Sequence, residues 1–270
     1  MDYFWYVAAF LFGAIIGSFL NVVIYRLHTG KSVNGHSHCL SCGTGLRWYE
    51  LVPMLSYLVL RGHCRTCAAW IPVRYLLVEL LTAGLFVLVW HIFNDSLVLL
   101  VLHAVLVSVL VVILVYDLRH MIIPDVMVVA LTSVALVYLA YGFFGGGMTG
   151  EEVVVHIISA AGAALFFAAF WLVSGGRWMG LGDAKLALPL GMFLGVSGAF
   201  SMVVFSFWIG AVVSVILLLL QNVYQAGTTR LPFSSTPLRM KSEIPFAPFL
   251  ILGFLLTYLF HVDIFTILLF

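Results

Sequence analysis

Long uncharged runs dominate the chain, broken by short polar stretches, and they show no two-residue alternation of the kind strands need. A run of about 20 mostly apolar residues is the length of an α-helix that crosses the hydrocarbon of a bilayer. Eight runs approach that length, roughly 3–24, 73–93, 97–116, 122–143, 153–173, 184–194, 199–220 and 246–261. The sixth is short, contains Pro189, and is separated from the seventh only by Gly195-Val196-Ser197-Gly198. Nothing after the first run reads as a signal-peptidase site, so it is expected to persist as a helix. The pattern predicts an all-α, polytopic integral membrane bundle of about eight spans.

Two polar segments interrupt the runs, residues 25–72 and 221–245. The first is rich in Gly, Cys and His. It is long enough to fold as a small knob but too short to build a sizeable core, so it needs a staple. The expected organisation is a first transmembrane helix over 1–25, a cysteine-bearing loop domain over 26–72, and a membrane domain over 73–270. No internal repeat is evident.

Composition agrees with the pattern. Hydrophobic residues make up 64% and charged residues 9%, against about 25% charged in a soluble domain. Too few charges remain to coat a water-soluble globule, which excludes a cytosolic enzyme, a disordered chain and a disulfide-rich secreted domain. The net charge of +1 gives no reason to expect nucleic-acid binding. Charge placement adds orientation. All 12 Lys and Arg residues fall after the first, third, fifth and seventh runs or at the helix ends beside them. The opposite segments hold Asp2, Asp95, Glu151, Glu152 and Asp263. The positive-inside rule then puts the basic side in the cytoplasm and both termini outside.

The staple is visible as Cys39-x-x-Cys42 and Cys64-x-x-Cys67, which use all 4 cysteines. Two such knuckles suit a tetrahedral structural Zn²⁺. Disulfides are disfavoured in a loop that faces a reducing cytosol. A four-thiolate site leaves no open position for water, so catalysis by the metal is not expected. His36, His38 and His63 lie beside the knuckles and read as solvated or supporting groups.

Acidic residues beside membrane spans are costly unless they serve a purpose. Asp117 ends the third run, and Asp183 follows Gly180-Leu181-Gly182 at the start of the sixth. Two carboxyls at matching depth would share one proton, as in an aspartic protease: one acts as base toward water, the other as acid. Gly180 and Gly182 would admit tight backbone conformations and a close substrate. The plainer readings are an ion pair of Asp117 with Arg119 or Arg177, and a helix cap at Asp183. Asp125, after Pro124, shares a loop with Asp117 and competes for the second carboxyl role, or caps the fourth helix. His103 and His156 read as structural. Gly13 and Gly17 form a GxxxG that permits close helix packing.

These residues resemble the bacterial type IV prepilin peptidases, membrane aspartyl proteases of the GxGD class. The likeness runs along nearly the whole chain: residues 13–26 of the first helix, the paired CxxC knuckles, Pro53–Leu58 with Arg61–Arg65, Arg74–Glu79, Asp117 through Asp125, Gly180-Leu181-Gly182-Asp183-Ala184-Lys185-Leu186, and Ile244–Phe249. The resemblance implies removal of the short basic leader of prepilins and pseudopilins at the cytoplasmic face of a bacterial inner membrane, with lipid around the enzyme. It implies Asp117 and Asp183 as the catalytic pair, with Asp125, Gly180, Gly182 and Lys185 in support. It also implies N-methylation of the newly exposed residue with S-adenosylmethionine, associated with the cysteine-bearing loop. No glycine-rich loop of a soluble methyltransferase is present. Glu50, Arg61, Arg74 and Glu79 are polar residues in or beside that loop that could hold the cofactor, or serve as ion pairs and interfacial anchors. The segment Asn34-Gly35-His36-Ser37-His38 lacks the basic residue that relatives more often place there. The rival readings are a presenilin-like protease cutting inside the bilayer and a transporter or assembly scaffold whose aspartates carry protons.

Overall fold

The computed structural model describes residues 2–29, 35–225 and 244–268. The described residues are helical and contain no strand, only two isolated antiparallel bridges. Six helices are long and apolar enough to span a membrane. They are α1 (Asp2–Thr29), α3 (Arg74–Phe93), α4 (Leu97–His120), α5 (Asp125–Phe144), α6 (Gly150–Ser174) and α8 (Val196–Gln225). The sixth and eighth apolar runs form helices too, α7 (Leu181–Phe193) and α9 (Ala247–Leu259), each of 13 residues. At 1.5 Å per residue such a helix is about 20 Å long, well short of a bilayer's ~30 Å. The expected eight runs are therefore six full-length helices and two short ones. A one-turn α2 (Leu55–Val59) and a terminal α10 (Ile264–Leu268) complete the order. Most of the second polar segment lies outside the described residues.

The chain divides into two compact units, Met1–Tyr116 and Asp117–Phe270. In the first, α1 packs along α3. The GxxxG makes this possible: a Cβ on Gly13 would lie 2.7 Å from Phe86 Cβ, and one on Gly17 would lie 2.8 Å from Glu79 Cα. His103 is fully buried, hydrogen-bonded to Leu99 O and stacked on Phe93 with ring centroids 3.7 Å apart.

In the second unit the short helices are the inner ones. α7 packs on α6 and α5, and α9 packs on α8 and α7. Eight of the 13 residues of α7 and nine of the 13 of α9 are buried. Small residues bring backbones into contact: a Cβ on Gly191 of α7 would sit 2.6 Å from Ala160 Cα of α6, and one on Gly253 of α9 would sit 2.6 Å from Met202 O of α8. His156 ties α6 to α7 through Met192 O at 3.0 Å. His103 is buried and His156 half-buried, and each bonds a main-chain carbonyl within its own unit.

Candidate active site

α4 stops at His120 because Met121 turns into the left-handed region at φ 54°, where its N–H caps Asp117 O at 2.8 Å. Asp117 thus lies in the last turn of α4. α7 begins at Leu181 with Gly180 as its N-cap, so Asp183 is its third residue and not the cap that the sequence allowed. Its carboxylate reaches back to the Gly180 N–H, the acidic half of a capping box. Asp117 and Asp183 are only 5% and 8% exposed, and they lie close enough to repel one another electrostatically. Asp117 forms no ion pair among the described residues, and Arg177 Nε donates instead to Ser174 O. Asp117 accepts a hydrogen bond from the Ala247 N–H, while its Oδ2 is buried with no partner among the described residues.

Burial pushes the Asp183 carboxyl up from 3.8 to about 7, and the charge of Asp117 adds to the shift. The two groups together resist double ionisation, which is the electrostatic condition for an acid–base pair. Asp125 is elsewhere. It is the first residue of α5, its side chain is 73% exposed, and it pairs with Lys185 Nζ at 2.7 Å. The glycines of the GxGD segment also differ from expectation. Neither has a positive φ: Gly180 is ordinary extended backbone and Gly182 is already helical. What Gly182 provides is room, since a Cβ there would meet Ile123 Cδ1 at 3.3 Å. Ala247 was not foreseen. It contributes only a backbone N–H at the buried, positive dipole end of α9, for which the side-chain sequence gives no signal beyond the Pro248 that follows it.

In the first unit the four cysteines meet, with all sulfurs within 4.8 Å of one another and Cys39 Sγ 3.8 Å from Cys67 Sγ. All four are free thiols. The two knuckles are copies of one another, 25 positions apart. Cys39 N–H bonds Thr44 O and Gly43 N–H bonds Cys39 O, just as Cys64 N–H bonds Ala69 O and Ala68 N–H bonds Cys64 O. The bridges His38–Gly45 and His63–Trp70 keep the same offset. Gly43 and Ala68 both take positive φ, at 72° and 55°. The sequence carries the same repeat, His38-Cys39-x-x-Cys42 against His63-Cys64-x-x-Cys67, so the expectation of no internal repeat does not hold for this loop. The thiols compete for charge: bonds from Thr44 lower Cys42 to about 6, whereas Cys67, despite the Ala69 N–H, is pushed up to about 12 by burial and its thiol neighbours. A cation at the centre would relieve that conflict.

Between α1, α3 and this loop lies a cavity of about 470 Å³. Its wall includes Glu50, Glu79, Arg26, Tyr57, Trp70 and Tyr75. Arg61 and Arg74, named alongside the two glutamates from the sequence, do not line it. Glu79 is 8% exposed and accepts the Met54 N–H at 2.7 Å and the Ser18 hydroxyl.

Comparison with known proteins matches both units. Residues 11–93 match the bacterial peptidase A24 N-terminal domain, and residues 104–215 match the type IV leader peptidase family. A prepilin leader peptidase/N-methyltransferase of Pseudomonas aeruginosa is 31% identical over 89% of this chain and 85% of its own length. The chain belongs to the type IV leader peptidase family. A relative of the same name from Aeromonas hydrophila is 31% identical over 93% of the chain and 89% of its own length. One from Myxococcus xanthus is 39% identical over 78% of the chain, which spans 63% of that longer protein. No solved structure matches. Within this leader peptidase fold the acidic pair belongs to the second unit and the cysteine cluster to the first.

Proposed function

We propose that this chain is a prepilin leader peptidase and N-methyltransferase of a bacterial inner membrane. It removes the short basic leader of type IV prepilins and pseudopilins at the cytoplasmic face, then methylates the new N-terminus with S-adenosylmethionine. The observation that carries the reading is the buried pair Asp117 and Asp183. The basic side of the chain faces the cytoplasm in this reading and both termini lie outside, which brings the helix ends bearing the pair to the inner leaflet.

The pair holds one proton between its two carboxyls. Asp183, whose carboxyl is raised to about 7 by burial and by its neighbour, is the favoured seat for it. Asp117, facing the Ala247 N–H, is the seat of the negative charge. Asp117 takes a proton from a water held between the two groups as that water attacks the scissile carbonyl carbon. Asp183 hydrogen-bonds the carbonyl oxygen as negative charge develops there, and a proton is delivered to the leaving amine as the C–N bond breaks. No nucleophilic side chain is needed. Asp125 and Lys185 tie the start of α5 to the second turn of α7 and support the pair from outside it.

The cysteine cluster fits a zinc ion. Tetrahedral Zn–S bonds of about 2.3 Å place sulfurs about 3.8 Å apart; Cys39 Sγ and Cys67 Sγ lie 3.8 Å apart and all four sulfurs lie within 4.8 Å. Zinc there would close the loop as a staple and take no part in peptide hydrolysis. Incubating the purified protein with a synthetic prepilin, with and without S-adenosylmethionine, tests the whole reading. Expected are leader loss in both cases and a methylated N-terminus only with the cofactor. Full leader removal by Asp183→Asn would sink the acid pair.

A further inference from the structure

Between the two knuckles lies a run that the cysteine cluster does not explain. Residues 51–60, Leu51-Val52-Pro53-Met54-Leu55-Ser56-Tyr57-Leu58-Val59-Leu60, carry no charge and stop at Arg61. An apolar run of this length cannot span a bilayer, and suits either a core helix or an interfacial, re-entrant segment. It is not a core helix, because none of these residues is buried. Its polarity is also inverted. Leu55, Leu58 and Val59 share one face of α2 and are 59%, 63% and 71% exposed, while Ser56, Tyr57 and Leu60 turn to the cavity. A helix at a water surface shows its polar side outward. Here the hydroxyls are inside and the aliphatic groups outside.

The depth of the segment is fixed by Glu79. The Met54 N–H donates to it at 2.7 Å, and the Ser18 hydroxyl bonds it as well. Glu79 is the sixth residue of α3, which begins at Arg74, so its Cα lies about 7.5 Å inside the helix. Its side chain leans back toward the helix start, which sets Met54 about 5 Å, one turn, below the end of a membrane span. Ser18 lies about 9 Å before the end of the first apolar run, which gives a similar level. Interfacial helices sink their apolar faces about 5–10 Å into the headgroup and acyl boundary. Lipid offers no hydrogen bonds, so main-chain groups at that depth need partners within the protein. The segment provides them. Glu79 takes the Met54 N–H, Pro53 has no N–H, and α2 closes on itself as Arg61 N–H bonds Leu58 O and Gly62 N–H bonds Tyr57 O. Arg61 and Gly62 both take positive φ, at 50° and 71°, and turn the chain back out.

We infer that residues 51–60 are a re-entrant segment whose Leu55, Leu58 and Val59 face enters the acyl chains of the lipid leaflet beside α3. The chain arrives from one span, α1, and leaves into another, α3, so the lipid around those helices continues onto this face. On the proposed orientation the leaflet is the inner one, but the insertion goes beyond the proposed activity and does not depend on it. Exposed Arg61 stands where the chain returns toward headgroup phosphates. The knuckles gain a second use. Cys42 precedes the segment and Cys64 follows it, so four sulfurs within 4.8 Å pinch the neck of a hairpin whose tip is in the bilayer.

The test uses the full chain in nanodiscs of phosphatidylcholine and phosphatidylglycerol, with a phospholipid carrying a diazirine midway along its acyl chain as probe. After illumination and peptide mapping of the wild type, residues 51–60 should carry about as much label as α3 and about tenfold more than residues 41–47 of the first knuckle. Label on α3 with none above the knuckle level on 51–60 would overturn the inference. A second measurement identifies the occupant directly. Benzoylphenylalanine is placed at Leu58 in the chain kept in its native membrane, and the crosslinked products are separated by mass. Phospholipid adducts are the expected result. Adducts with a second copy of the chain or with a prepilin would make this a protein-docking face, and the lipid assignment would be wrong.

Discussion

The cysteine loop and the acidic pair are held by opposite means. From residue 35 to residue 73 only Gly62 and Cys64 are buried. That segment has two knuckles, a one-turn helix and almost no core, so its order depends on four sulfurs meeting at one point. Around Asp117 and Asp183 the reverse holds: α7 and α9 are mostly buried, with glycines letting backbones touch. Chelation fixes a small exposed knob that packing cannot, whereas packing fixes two carboxyl groups, sharing one negative charge, out of reach of solvent. The lesson is that the two proposed activities should fail under different insults.

The sharpest break in that comparison is chemical. Asp117→Asn or Asp183→Asn should cut leader removal by about 10²–10⁴-fold while the protein still accumulates in membranes, measured by cleavage of a synthetic prepilin. Next is metal removal. A structural zinc contributes about 10–16 kcal/mol to folding in small domains, so a strong chelator or Cys64→Ser should abolish methylation and expose the loop to protease. Leader removal should fall far less, and equal loss of both would show that the loop also builds the peptidase site.

A smaller effect is expected from pH. Asp183 has a folded value of about 7 against 3.8 for the free group. The proton is therefore bound more tightly in the folded state, and folding is favoured most below pH 4. That contribution disappears as pH rises through 7. Two outcomes follow from the same sign. Leader removal should decline above pH 7 as the second proton is lost, and Asp183→Asn should melt at a higher temperature than wild type at pH 8 but not at pH 4. A scanning melt in detergent checks the second point. The smallest effect belongs to Asp125→Asn. Its pair with Lys185 is exposed, and such pairs contribute about 0–1 kcal/mol. Stability should hardly move, with leader removal reduced a few-fold at most.

Hydrophobic run length made the helices legible, because membrane spans require continuous apolar sequence. It could not reveal that α7 and α9 are only 13 residues long and mostly buried, since burial among other helices also selects apolar residues. Asp117 and Asp183 were legible because a charge beside a span is expensive. Asp125 was separable from Asp117 only in three dimensions, where it turns outward to Lys185. The Ala247 donor was invisible because it is a main-chain group, and main-chain geometry leaves little trace in side-chain identity. Glu79 was noticed, along with Arg61 and Arg74, but spacing alone could not sort the residue that faces a cavity from those that do not.

Gly191 lets the backbones of α7 and α6 touch at Ala160, so moving the two helices apart would give up that packing. The substrate is then the partner with less to lose by changing shape. An amide bond beside a hydrophobic helix is shielded by that helix's own coil, so the last turn of the substrate has to unravel before water can reach its carbonyl. A helix-breaking residue placed next to the cut bond should therefore quicken turnover, and a helix-stiffening one should slow it.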